Sequence, residues 1–167
     1  MNPESPPVGV ELPATVCEAV RAWLQVGKDV GKFVIRGEDV GAVKAEQPTY
    51  PLKGKFPQVY VVWSSATPTD MHVCNPQVTH LVQVIGQVRI YLQEANPTKR
   101  VADTRNLSWA IYKHLRLNRG LSGAVVDFTV GRVSGDPETL ARQGIRAQGL
   151  VEFSAKAVDT FTLDEGT

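Results

Sequence analysis

The stretch from Lys99 to Asp159 constrains the fold of this chain more than any other. It reads as helix, strand, loop, strand, and it follows a strand at about 80–93. Within Asp103–Leu117, residues Leu107, Ala110, Ile111, His114 and Leu115 fall at helical spacing, while Trp109, Tyr112, Lys113 and Arg116 face elsewhere. Asp103 suits the N-cap, because its carboxylate accepts from the free N–H groups of the first turn. Asn118 and Gly120 supply a stop. Two alternating runs follow, Val125–Val133 and Ile145–Val158, around a turn-rich insert, Ser134–Glu138. Each run has an apolar and a polar side, the pattern of half-buried antiparallel strands. All three elements have one side to hide and none groups reactive residues, which points to a chain that presents surfaces rather than one that performs chemistry.

Upstream, residues 1–10 are proline-rich without apolar periodicity and read as a flexible arm. A helix is expected from about Pro13, whose missing N–H is harmless in a first turn. Its stripe is Val16, Ala19, Val20, Trp23 and Leu24, and Gly27 can end it. Residues 28–57 hold a possible short strand, Lys32–Arg36, among many glycines and prolines; the pattern does not separate a small hairpin from an irregular excursion. Gln58–Ser65 is apolar on both sides, as in a doubly covered strand. A polar segment, Ser64–Pro76, reads as the loop to a long strand, Thr79–Gln93. Val82, Val84, Val88, Ile90 and Leu92 occupy one face of that strand; Gln83, Gln87, Arg89 and Tyr91 occupy the other, which is expected to meet solvent or a polar partner. Residues 11–158 are thus expected to form one domain, followed by a frayed acidic tail at 159–167.

The 167 residues suffice for a single sizeable core. Eighteen basic residues against seventeen acidic ones leave a net charge of +1, which argues against a strongly basic nucleic-acid binder. No basic segment followed by an apolar core opens the chain, so secretion is not expected, and no apolar run approaches the roughly 20 residues of a membrane span. Cys17 and Cys74 form no CxxC and read as reduced thiols.

Chemical motifs are weak. His72-x-Cys74-x5-His80 matches no common zinc spacing and lacks an obvious fourth ligand. His114 lies on the apolar side of its helix, where a hydrogen-bonded core histidine is expected. No GxSxG elbow and no GxxxxGK[ST] loop occurs. No catalytic residue, metal or cofactor is therefore assigned. Lys99, Arg100 and Arg105 cluster where the second helix starts, either as a solvated surface or as a contact for an acidic partner.

Three segments together resemble the tail terminator (tail-completion) proteins of long-tailed bacteriophages: His80–Leu92, the Asp103–Leu117 helix with Leu121–Val126 after it, and Gly144–Ala155. The resemblance covers roughly residues 56–158, and the 28–57 segment is additional to it. It implies an α+β fold, an antiparallel sheet of about four or more strands with two main helices on one face. It implies a structural virion protein without enzymatic activity or cofactor: a homohexameric ring at the head-proximal end of the tail, assembled in the host cytoplasm. That ring stops tube polymerisation, and its partners are the tail tube protein and the head–tail connector or head-closure protein, with no membrane and no specific nucleic-acid sequence. From loop and edge position, the candidate subunit or tube interface comprises Gln83, Gln87, Arg89 and Tyr91 on the long strand, with Arg100 and Arg105 meeting Asp136 and Glu138 from a different edge of the next subunit. Loops 66–78 and 134–144 are expected to be mobile in a free subunit and to order on assembly. The competing readings are another neck component (a head-closure or adaptor protein), a small metal- or ligand-binding domain built on the His72/Cys74/His80 loop, and a nucleic-acid-binding domain.

Overall fold

Period-two alternation in consecutive valine-rich segments produces one sheet, and the 3.6-residue stripes of two helices cover one of its faces. The computed structural model describes residues 11–136 and 147–162. The elements are α1 (Leu12–Asp29), β1 (Ala42–Lys44), β2 (Gln58–Cys74), β3 (Gln77–Leu92), α2 (Pro97–Leu115), β4 (Asp127–Asp136) and β5 (Ala147–Thr162). The five strands are ordered β1-β2-β3-β5-β4. Only the β1–β2 pair is parallel, over three residues, so the sheet is mixed but mostly antiparallel and the class is α+β.

The main core joins Val16, Val20 and Leu24 of α1 and Leu107, Ile111 and Leu115 of α2 to Val82, Val84 and Val88 of β3 and to Val151 and Phe153 of β5. These are the stripes that periodicity marks. Where α2 crosses the end of the sheet, Gly135 of β4 pairs with Gly149 of β5. A Cβ on Gly135 would lie 3.0 Å from Thr104 Cγ2, and one on Gly149 would collide with Ser108 Oγ. Small residues on both layers thus let the helix backbone approach the strands closely.

Several boundaries differ from the sequence expectation. The polar segment Ser64–Pro76 is not a loop: β2 continues through Cys74 and turns at Asn75-Pro76 into β3. β3 pairs with β5 over its whole length, from Gln77↔Thr162 to Leu92↔Ala147, so β5 runs past the expected end at Val158 into the supposed tail. The far halves of β2, β3 and β5 form a three-stranded arm, and residues 63–77 are exposed throughout. Backbone pairing across the hairpin overrides the loop-like composition, because each N–H and C=O of β3 needs a partner. The expected 66–78 loop is therefore arm. Of the 134–144 loop, 134–136 belong to β4 and the rest lies outside the described residues, as do the N-terminal arm 1–10 and residues 163–167 of the expected tail.

α2 begins six residues earlier than Asp103. Asn96 is its N-cap, its side chain accepting from Thr98 N at 3.0 Å and Lys99 N at 3.2 Å, with Pro97 in the first turn. Asp103 is instead inside the helix, buried, and accepts from Arg36 Nε at 3.0 Å. Lys32–Arg36 forms no strand; Ile35 and Glu38 make a single bridge around Arg36 and Gly37, both at positive φ. The chain then passes to the second face of the sheet, where Leu52, with Phe56 beside it, packs on Tyr60 and Tyr91 as a small separate core.

Candidate assembly surfaces

The face of β3 opposite the helices carries Gln83, Gln87 and Arg89, all half-buried. Register aligns them with β5, so that Gln87 faces Glu152 and Gln83 faces Lys156. Gln83 Nε2 donates to Ser154 Oγ at 2.9 Å and Arg89 Nε to Gln87 Oε1 at 3.2 Å. These three form a hydrogen-bonded polar floor, as the alternation implies. Tyr91 does not belong with them as an accessible contact. It is fully buried beneath residues 50–56, with its hydroxyl 3.1 Å from that of Tyr50, and desolvation pushes its pKa well above that of an ordinary tyrosine. The alternation placed Tyr91 on the correct face; the covering segment, unreadable in sequence, closes that end of the face.

The start of α2 separates Arg100 from Arg105. Arg100 reaches back to the strand–helix connection, donating from Nε to Glu94 O at 2.9 Å and from Nη2 to Ala95 O at 2.8 Å, so it fastens the turn. Arg105 is exposed and lines a groove of about 610 Å³ between α2 and β4. Val101, Ser108, Trp109, Val133, Ser134 and Gly135 also line it. Ser108 Oγ is buried there without a hydrogen-bond partner among the described residues. Gly135 directly precedes Asp136, so Arg105 and Asp136 sit along one margin of the subunit, not on different edges as expected; the reason is that β4 is the edge strand lying beneath α2. Glu138 lies outside the described residues.

The exposed side of α2 also holds a ladder the sequence reading did not single out. Trp109, 51% exposed, stacks on Tyr112 with ring centroids 4.7 Å apart. Arg116 lies over the Tyr112 ring and donates to its hydroxyl at 2.8 Å. The i, i+3, i+7 spacing was legible, but the aromatic residues were noted only as facing away from the core. Tryptophan, tyrosine and arginine are the types that dominate binding energy at protein interfaces.

The histidines and cysteines are dispersed. Met71 pairs with His80 and His72 with Thr79, so His72 and His80 project from opposite faces of the arm. His80 Nε2 lies 3.4 Å from Asp159 Oδ2. Among the described residues no group of three His, Cys, Asp or Glu side chains is arranged to hold a metal ion. His114 is a core residue. Its Nε2 donates to Trp23 O at 2.7 Å, its ring stacks on Trp23 at 4.3 Å, and Trp23 Nε1 donates to His114 O at 2.9 Å. Burial, and secondarily the Lys32 charge, lower its pKa against the hydrogen bond to Trp23. Cys17 is buried, its thiol pushed up to about 11 by desolvation, whereas Cys74 is exposed beside the arm's turn. Among the described residues, no helix is long and apolar enough to cross a membrane.

No family model matches the sequence, and no curated protein matches it. Among solved structures, the fold is similar to the sheath/tube terminator of an extracellular contractile injection system, PVC, determined by cryo-EM in the extended state. The similarity has a TM-score of 0.51 at 12% identity and covers 92% of this chain and 58% of that one. The chain thus spans a little over half the length of that protein, and the two share a fold over that span.

Proposed function

We propose that this chain is a tail-terminator subunit: a structural protein that caps a contractile or phage-type tail tube as a ring of six copies. The ring stops tube polymerisation and offers a surface to the head-side connector; in a phage, it would belong to the virion. The fold likeness to the injection-system terminator carries this reading, since it extends over nearly the whole chain and points the same way as the independent sequence resemblance. The reading is also supported by the character of the surfaces. A ring subunit needs contacts that remain hydrated before docking and desolvate afterwards, and the polar floor of β3/β5, the Arg–Trp–Tyr ladder and the extended arm have that mixed character. In this role the chain performs no catalysis and takes no cofactor; its His and Cys side chains lie in the core or singly on the arm.

Negative-stain microscopy of the purified chain, alone and mixed with tail tubes, tests the role. Closed rings of six, or density on one end of each tube, are expected. A protein that remains monomeric at high concentration and leaves tube ends bare would refute the proposal.

A further inference from the structure

The arm bears exposed apolar residues on one face, and α2 bears an aromatic–cationic ladder beside a groove. On the helix-side face of the arm, register brings together Met71, Val73 and Phe161, which are 66%, 54% and 43% exposed. The arm is also electrostatically one-sided. Residues 63–88 contain Asp70 and no Lys or Arg, and 157–162 contain Asp159 and no Lys or Arg. The exposed side of α2 is the converse. It carries Lys99, Arg105, Lys113 and Arg116, and the single acid of the helix, Asp103, is buried against Arg36.

The two surfaces are complementary, yet one molecule cannot join them. Ser134, in the groove, pairs with Leu150 of β5, while Phe161 lies eleven residues further along the same strand. At the extended-chain rise this is a separation of about 35 Å within one rigid sheet. The contact therefore requires a second copy. Because it joins different surfaces, it is head-to-tail, the kind of contact that closes into a ring.

We propose that the arm of one copy docks on α2 of the next, with Met71, Val73 and Phe161 packed on Trp109 and Tyr112, and with Asp159 of the same arm face facing Arg105 and Arg116, while Asp70 on the opposite face adds to the arm's negative charge. The occupant of the α2 groove is a second copy of this chain, specifically residues 68–74 and 157–162. Trp109 and Tyr112 supply a rigid anchor of low entropic cost. The apolar arm face loses its exposure, and Arg105 and Arg116, which make no ion pair among the described residues, gain an acidic neighbour. This inference rests on the ring reading and adds to it the identity of the contact.

Cys74 provides the test, because it is exposed at the arm's turn whereas Cys17 is buried with a raised thiol pKa. The full chain is labelled at Cys74 with a maleimide benzophenone. An equal mixture of ¹⁴N and ¹⁵N protein is then photolysed under assembling conditions, and cross-links are mapped by mass spectrometry. Mixed-isotope cross-links into residues 101–116 are expected. Trp109→Ala and Arg105→Glu, each with an unchanged circular dichroism spectrum, should lower their yield at least tenfold and shift the protein toward monomer in sedimentation. Cross-links that fall within one copy or elsewhere on a second copy, or yields indifferent to both substitutions, would overturn the arm-to-helix contact. If rings or capped tubes persist in microscopy with such cross-links, the contact is wrong and the terminator role stands. If the protein neither self-associates nor caps tubes, both fail.

Discussion

Acidification should weaken this fold through His114, and the effect can be isolated by one substitution. Trp23 O can only accept, so His114 Nε2 carries the hydrogen and Nδ1 is bare, 3.4 Å from Lys32 Nζ. Protonating Nδ1 removes the acceptor and places a cation beside a cation in the core. A histidine near the C-terminus of a helix ordinarily gains from the macrodipole when charged; here desolvation prevails and the folded pKa lies below the ordinary value. The unfolded chain, with a histidine pKa of about 6.5, then binds more protons than the folded one. The contribution is therefore complete above pH 6.5 and is lost as pH falls from there through the folded pKa, at a limiting slope of about 1.4 kcal/mol per pH unit. His114→Leu keeps much of the volume, leaves Trp23 O without its donor, and should cost about 1–3 kcal/mol at pH 7.5. Urea unfolding followed by tryptophan fluorescence at pH 7.5, 6.0 and 5.0 measures both proteins. Carboxylates titrate in both, so the difference between them reports His114. That difference should shrink as pH falls. Parallel pH profiles, or a steeper loss in the variant, would refute the assignment of a neutral buried imidazole.

Other consequences are equally direct. Gly149→Ala puts a methyl into Ser108 and Gly86→Ala puts one 2.6 Å from Val62 O; each should cost about 1–3 kcal/mol in thermal or urea unfolding. Arg36→Ala leaves the buried Asp103 without its charged donor and should destabilise by about 1–3 kcal/mol, whereas the exposed Arg105→Ala should leave the melting temperature of the unassembled subunit within a degree or two. Arg100→Glu should cost stability as well as assembly, because Arg100 fastens residues 94 and 95; Arg105→Glu should affect assembly alone. A thiol reagent at neutral pH should modify Cys74 rapidly and Cys17 only on unfolding, which an absorbance assay with and without urea measures.

What could be read in the sequence were the stripes. α1, β3, the inner half of β5 and the buried side of α2 follow from period alone, because each faces one shared core. What could not be read depends on partners distant in sequence. Ser64–Pro76 has loop composition, and only its pairing with β3 makes it strand; the signal available was that the alternation of β3 reaches back to Val78 and needs a partner of equal length. The start of α2 was legible in Asn96-Pro97, a cap followed by a first-turn proline, but the carboxylate of Asp103 was the more conspicuous cap, and its true partner, Arg36, lies in the segment without periodicity. The same segment hides Tyr91. Of the expected contact residues, Gln83, Gln87 and Arg89 lie on the half-open face as alternation implies, and Arg105 is exposed. Tyr91 and Arg100 are committed within the subunit.

The free edges of the sheet bear on why a self-docking arm would give a closed assembly and not a fibre. Among the described residues β1 covers β2 only at Gln58–Tyr60, so the outer edge of the arm is unpaired along β2; β4 forms the other edge of the sheet but pairs with β5 only as far as Lys156, so 157–162 of β5 are a free edge on the arm. An unprotected edge of the length of β2 would pair with copies of itself without limit. The β2 and β4 edges are interrupted, and the free stretch of β5 is only six residues long. β2 carries Pro68 and register shifts at Trp63/Ser65 and Pro68/Asp70, and β4 shifts between Val130 and Val133 around Gly131 and Arg132. Proline removes a donor and bulges twist the ladder, which opposes strand-to-strand addition. Side-chain contact is left as the available mode: an apolar sheet face laid on an aromatic helix. Such a contact fixes the angle between neighbours through the shape of two surfaces. A fixed angle is the condition for closure, and removing Pro68 should loosen it: Pro68→Thr restores the donor on the edge of β2 and is expected to trade discrete rings for larger, polydisperse aggregates in light scattering. Unchanged ring size and monodispersity in that variant would show that edge protection plays no part in limiting the assembly.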